Sequence, residues 1–257
     1  MRIILVNSVG MVKRLRVSLG TLVAIEAPTA APIERAFEAI ELVNRLMHPT
    51  AEGSDLARIN GAPLHEPTKA HPRIGHLLTL ARRINTLSDG AFDPCTPARP
   101  GRLSDIEVSA DETEVVCHAP VALDFGGFAK GYAVDCAIEA LITAGCTAGL
   151  VNAGGDLRVF GQRTEPVFVR GAAGELVNIE LTDAALAVSH VTAQQRPQEH
   201  QGYYVRNHTA DTPYVTTYAA VIASTAAVAD ALAKCVLLCA PQVATRALSA
   251  FGAMTAL

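Results

Sequence analysis

Two doubled glycines bracket the segment of this chain best suited to hold an anion. Gly126-Gly127 precedes Ala129-Lys130, and Gly154-Gly155 follows some two dozen residues later with Asp156 directly behind it. Turns without Cβ atoms let main-chain N–H groups approach an oxyanion. A helix starting beside them and carrying an ammonium favours negative charge in the same place. A phosphorylated ligand is one reading. Two tight turns in an ordinary α/β unit is the other, because glycine pairs are common turn signals. A second chemical pair lies far along the chain. Asp230 and Lys234 are the only charges in TAAVADALAKCVLLCA, an otherwise apolar run, and at i,i+4 they share one helix face. A buried ion pair rarely adds net stability over apolar residues, so the pair points to function unless the helix end carries its charges to solvent.

The elements that must position these groups follow from periodicity. Val121, Leu123 and Phe125 alternate as a strand, paired in a hairpin with residues 113–116. A helix is expected over 129–144 with Gly145 at C′, then a short buried strand over 149–153. Upstream, residues 14–26 form a strand with a bulge at Gly20. Ile33, Phe37, Ile40, Val43 and Met47 recur at helical spacing after Pro32. Ser54 caps a short helix carrying Leu56 and Ile59, and a further helix spans 72–87. Downstream of Asp156, strands at 157–160, 167–170, 175–181 and 184–189 suggest an antiparallel meander. Residues 190–202 are polar and aperiodic, as a loop is. A strand at 218–223 leads into the apolar helix, capped by Ser224 or Thr225 and stopped by Pro241.

Composition narrows the classes. The chain has 257 residues, half of them apolar and 18% charged, enough for a substantial globular core. A net charge of −4 and the lack of a basic run disfavour nucleic acid. The six cysteines include no CxxC, which suits buried thiols in a reducing compartment. No apolar run approaches the ~18–20 residues of a membrane span. The N-terminus shows neither a secretory cleavage site nor a lipidation cysteine. A cytoplasmic protein is expected as written, or a periplasmic one if the N-terminus was trimmed.

Beyond spacing, DFGGFAKGYAVD (124–135) followed by LVNAGGDLRVFG (150–161) resembles the signature of the ApbE family, the FAD:protein FMN transferases. The similarity extends over residues 19–238. It implies an α+β fold with a mainly antiparallel sheet packed with helices, in two lobes with a nucleotide cleft between them. The single domain would cover 13–257, with a lobe boundary near 100–120 and an extension at 1–12. The implied activity moves FMN from FAD onto a Thr or Ser hydroxyl of a flavin-carrier protein, releasing AMP. The family implies that such carriers are subunits of membrane redox complexes of the Na⁺-translocating or Rnf type. The alternative is an FAD-binding protein of this family without transferase activity.

The resemblance also implies site residues. Leu19 stands where the family has the methionine of Met-Gly-Thr, and Ala91, Phe92 and Asp93 belong to a GAFDP turn; both are implied to contact FAD. Lys130, Gly154, Gly155, Asp156 and Thr209 complete the implied nucleotide contacts. Ser54, Leu56, Ile59 and Asn60 match an SxLxxLN pattern, with Thr50 where an aromatic residue stacks on the isoalloxazine. His208 and Asp211 match an H-x-x-D stretch whose histidine is implied to activate the acceptor hydroxyl. Imidazole titrates near ~6.5, and the acid would hold its tautomer. Thr212 replaces the usual proline there. The family implies Mg²⁺ bound by the main-chain oxygen of Ala129 and the side chain of Asp230, together with a threonine. Lys234 replaces that threonine, and an ammonium has no lone pair for a metal. Lys234 therefore either stands in for the ion as a catalytic group or removes the site.

Overall fold

The computed structural model describes residues 4–5, 10–171, 174–190, 216 and 218–256. A seven-stranded sheet organises the chain, and every neighbouring pair in it is antiparallel. It contains β2 (Val12–Ser18), β3 (Thr21–Ala27), β7 (Gly149–Ala153), β8 (Asp156–Phe160), β11 (Ala185–His190), β12 (Tyr218–Ala223) and β13 (Met254–Thr255). The spatial order is β13-β12-β11-β8-β7-β3-β2. Two three-stranded sheets accompany it. One pairs β1 (Ile4–Leu5) and β10 (Leu176–Thr182) with the central β9 (Thr164–Arg170). The other pairs β4 (Thr68–Lys69) and β5 (Ile106–Val108) with the central β6 (Glu114–Cys117).

Strict alternation divides the large sheet's faces. Leu150, Leu157, Val159, Leu186 and Ala220 point one way and pack with Val167, Val169 and Leu181 of the β9–β10 sheet. Val151, Ala153, Phe160, Ala185, Ala187 and Val221 point the other way, into the main core. Helices fill that side: α1 (Ala30–Met47), α2 (Asp55–Asn60), α3 (Pro72–Leu87), α4 (Ala129–Thr143), α5 (Ala226–Leu238) and α6 (Pro241–Ala250). α4 lies against α1, β7 and β8, and α5 lies against α4, β11 and β12. Residues on both sides of 100–120 share this core. Because Leu157 and Val159 occupy the far face, Asp156 and Arg158 must face the helices. The pleat alone aims both charges inward.

Three expectations are corrected. Residues 14–26 are not one bulged strand: β2 and β3 form a hairpin whose loop is Leu19-Gly20, both with positive φ (53° and 70°). That geometry suits a two-residue hairpin turn, but leucine is an uncommon occupant of it. Residues 121–125 do not pair with 113–116. The Leu123 N–H donates to Asn60 Oδ1 at 2.7 Å and its carbonyl accepts from Asn60 Nδ2 at 3.0 Å. The Thr96 and Asp124 N–H groups reach the carbonyls of Ala122 and Pro94. β6 pairs with β4 and β5 instead. Finally, the side chain of Thr225 makes no cap on α5. The Asp135 carboxylate of α4 does so, accepting the Ala226 and Ala227 N–H groups at 2.9 and 2.8 Å.

Other expectations match. α3 begins at Pro72 and ends at Leu87, and Ser54 Oγ accepts the Ala57 N–H at the start of α2. Among the described residues all six cysteines are free thiols, and five of them are buried. No helix among the described residues is long and apolar enough to cross a membrane.

Candidate functional site

A cavity of about 670 Å³ opens where the β2–β3 turn, the C-terminal end of α1 and the start of α4 converge. Cavities that enclose small organic ligands run from ~300 to ~1,000 Å³. The hairpin contributes Leu19 and Gly20, and α1 contributes Val43, Asn44 and Met47. His48, Pro49 and Thr50 form a wall, and Asp124, Gly126, Ala129 and Lys130 form the floor. Apolar side chains therefore face a backbone turn and a half-exposed ammonium, a combination that fits a ligand with a flat apolar part and an anionic part.

The wall is built by the SxLxxLN segment. Ser54 Oγ lies 2.6 Å from the His48 carbonyl and 2.9 Å from that of Leu46, fixing the chain as it leaves α1. Asn60 grips Leu123 with both ends of its amide and also donates to Pro49 O at 3.2 Å. One side chain thereby ties the wall to the floor. Asp124 accepts the Gly126 N–H at 2.7 Å, which closes the first glycine turn.

The second glycine turn closes the hairpin between β7 and β8. Gly154 has φ of +64°, and a Cβ there would lie 2.4 Å from Thr21 Oγ1, so only glycine fits beside β3. Asn152 Oδ1 accepts the Gly155 N–H at 3.1 Å. Gly154 and Gly155 are not among the cavity-lining residues. They set the start of β8 and hence the position of Asp156.

Charge gathers behind Lys130. Its ammonium pairs with Asp156, which is 1% exposed, and Lys234 pairs with Asp230, which is fully buried. Asp230 Oδ2 also accepts the Gly131 N–H at 3.2 Å. Burial, and then the neighbouring Asp230 carboxylate, push the Asp156 carboxyl above the usual carboxylate range; Lys130 and Lys234 pull it back. One turn further along α4, Asp135 holds α5 by its cap and accepts from Arg158 Nη1 at 2.8 Å. Burial raises its carboxyl too, against the two N–H groups and the guanidinium. α4 and α5 approach closely here, since a Cβ on Gly131 would stand 2.3 Å from the Ala226 carbonyl oxygen.

The residues expected from sequence therefore divide into groups. Leu19, Ala129 and Lys130 line the cavity, with Asp156, Asp230 and Lys234 in the charged cluster behind them. Ala91 and Phe92 are buried, and Phe92 packs edge-on against Phe128 with centroids 5.3 Å apart. Asp93 accepts the Cys95 N–H at 2.8 Å. These three residues are not among those lining the cavity; Phe92 supports the start of α4 through Phe128, and Asp93 closes the turn to Cys95. His208, Thr209 and Asp211 lie outside the described residues, as does most of the expected 190–202 loop.

Mg²⁺ at Ala129 and Asp230 does not fit this arrangement. Both Asp230 oxygens are engaged, one by the Lys234 ammonium and one by a backbone N–H. Among the described residues no group of three or more His, Cys, Asp or Glu side chains is placed to hold a metal. Thr50 does line the cavity, and among the described lining residues there is no Phe, Tyr or Trp.

His48 was not singled out by sequence reasoning. Its Nδ1 accepts the Ala51 N–H at 3.0 Å and lies 3.3 Å from Thr50 N, which leaves Nε2 as the ring's protonated nitrogen when neutral. The only local signal is a histidine at a helix end two residues before Thr50.

No match is found among curated proteins. Solved structures share the fold. The apo flavinyl transferase ApbE of Pseudomonas stutzeri is 17% identical with a TM-score of 0.75, over 95% of this chain and 92% of that one. The flavin transferase ApbE of Vibrio cholerae is 17% identical with a TM-score of 0.77, over 95% and 93%. The ApbE protein of Thermotoga maritima is 24% identical with a TM-score of 0.71, over 88% and 85%. At these identities the likeness is one of fold. The ApbE family model itself matches residues 19–99 and 98–257, nearly the whole chain, and with the hairpin, glycine turns and lysine in place the chain belongs to the ApbE family.

Proposed function

We propose that the protein is a flavin transferase that moves FMN from FAD onto a Thr or Ser hydroxyl of a flavin-carrier protein and releases AMP. The observation that carries this reading is the cavity itself. An apolar wall faces a glycine turn, a helix start and Lys130 in a chain of this family. FAD would lay its isoalloxazine against the Leu19, Met47 and Thr50 side, with its diphosphate toward Gly126 and Lys130. The acceptor oxygen attacks the FMN phosphorus, the bond from that phosphorus to the AMP oxygen breaks, and the acceptor proton passes to the His208 imidazole. Asp211 would hold the imidazole's tautomer. Lys130 neutralises charge on the diphosphate, and the floor positions it; both effects are those on which phosphoryl transfer depends.

A second reading, FAD binding without transfer, draws on Thr50, which offers no aromatic face for the flavin. One experiment separates them. The protein is incubated with FAD and a carrier domain containing the acceptor threonine, and the carrier is then weighed by mass spectrometry. An FMN-sized adduct on the carrier supports transfer. FAD binding with an unmodified carrier supports the second reading.

A further inference from the structure

Four charged side chains meet where α4, β8 and α5 converge, and only Lys130 among them reaches the cavity. Asp156, Asp230 and Lys234 are 1%, 0% and 3% exposed. Asp156 lies within electrostatic reach of Asp230 and of both lysines. Two carboxylates and two ammoniums sum to zero. Without Lys234 the same pocket would carry one net negative charge, which repels a diphosphate and attracts a cation.

Structural stabilisation alone accounts poorly for Lys234. Apart from its ion pair α5 is apolar, and all of it but the partly buried Val236 is buried; an ion pair in such a setting is matched or bettered by apolar side chains. The ammonium instead sits on Asp230 Oδ1, the lone pair an incoming cation would need, and offers that cation no lone pair in return.

We propose that Lys234 is a built-in counter-cation, holding the place against Asp230 and Asp156 that a divalent ion would otherwise take, so that this site binds a dinucleotide's diphosphate without a divalent metal. The identity of the dinucleotide rests on the flavin reading; the exclusion of the metal does not.

The test uses the full chain as wild type and as Lys234→Thr, which removes the ammonium and supplies a hydroxyl oxygen. Each protein is titrated calorimetrically with Mg²⁺ alone, then with FAD in excess EDTA or in Mg²⁺. The wild type should give no saturable Mg²⁺ heat, and its FAD affinity should agree within about twofold between the two media. Lys234→Thr should gain saturable Mg²⁺ binding, and its FAD affinity should fall about tenfold in EDTA and recover in Mg²⁺. Saturable Mg²⁺ binding by the wild type overturns the proposal, and so does a Lys234→Thr variant as indifferent to Mg²⁺ as the wild type. Should Lys234→Thr fold only when Mg²⁺ is present, that rescue supports the proposal; failure to fold in both media, beside a folded Lys234→Arg, overturns it, because Mg²⁺ then does not take the place of the ammonium. If the wild type binds no FAD at all, the flavin reading fails while the Mg²⁺ titrations still decide the role of Lys234.

Discussion

Gly131→Ala sets two ordinary effects against each other with opposite signs. Alanine is the better helix former by roughly 1 kcal/mol, so an isolated α4 would gain from the change. In the folded protein, however, the new methyl would stand 2.3 Å from the Ala226 carbonyl oxygen, 2.6 Å from its carbon and 2.9 Å from Ala227 N. All three are backbone atoms, and Asp135 pins that backbone by accepting both N–H groups of the first turn of α5. No side-chain rotation can relieve the contact, so α4 and α5 must separate by about 1 Å to restore ordinary van der Waals distance. Overpacking of this kind costs ~1–3 kcal/mol. The separation also stretches the Gly131 N–H bond to the buried Asp230 carboxylate, a bond to a charged group worth ~1.5–3 kcal/mol. The expected net loss is about 2 kcal/mol after the helix gain is subtracted. Urea unfolding followed by circular dichroism measures it as a lower midpoint at unchanged slope. An unchanged or raised midpoint would show that helix propensity governs the site, and the close approach of α4 to α5 would be refuted.

Three further outcomes follow from the same geometry. Asp135→Ala uncaps α5 and leaves the Arg158 guanidinium without this carboxylate, so stability should drop by about 3 kcal/mol, and Asp135→Asn, which keeps one acceptor, by roughly half that; equal effects on the denaturation midpoint would contradict the capping role. Burial pushes the Cys136 thiol up to about 12 from an ordinary 9.0. The unfolded chain then ionises first as pH rises. The thiol's contribution is complete below pH 9 and is lost between 9 and about 12, and Cys136→Ala should flatten that alkaline limb of the stability curve. Lys130→Ala should weaken FAD binding by about tenfold, with the difference shrinking at high salt, because the side chain is partly exposed and acts through charge; a salt-independent loss in a titration series would point to misfolding instead.

Much of this architecture was legible because the apolar periods are clean. Ile74, Leu77, Leu78, Ala81 and Ile84 marked α3, which Pro72 and the Ser-Asp-Gly after Leu87 bound to the residue, and the strand pattern after Asp156 announced antiparallel pairing. What escaped was settled by groups distant in sequence. Leu19 is not a turn-forming residue, so the β2–β3 hairpin read as one strand. The Leu123 backbone satisfies itself on the side chain of Asn60, sixty-three positions away, and no local pattern reports that. The α5 cap comes from Asp135, ninety-one positions upstream of Ala226, although Ser224 and Thr225 stand where a local cap belongs. Pro241 does stop α5, but it also opens α6 at a helical position where proline is well tolerated, so one residue both ends and begins a helix.

The site divides in the same way. The i,i+4 spacing exposed the Asp230–Lys234 pair at once, whereas the meeting of that pair with Asp156 and Lys130 required the pleat of β8 and the packing of α4 on α5. The GAFDP turn was legible as a motif, but its packing was not: Phe92 braces Phe128 and Asp93 closes the 93–95 turn.

We propose above that the space between Leu19, Met47, Thr50 and Lys130 receives a flavin dinucleotide. A crystal structure of the protein grown with FAD tests it most directly. The isoalloxazine should lie against the Leu19 and Met47 wall and the diphosphate beside Gly126 and Lys130. FAD bound elsewhere on the molecule, with this space left to solvent, would contradict it.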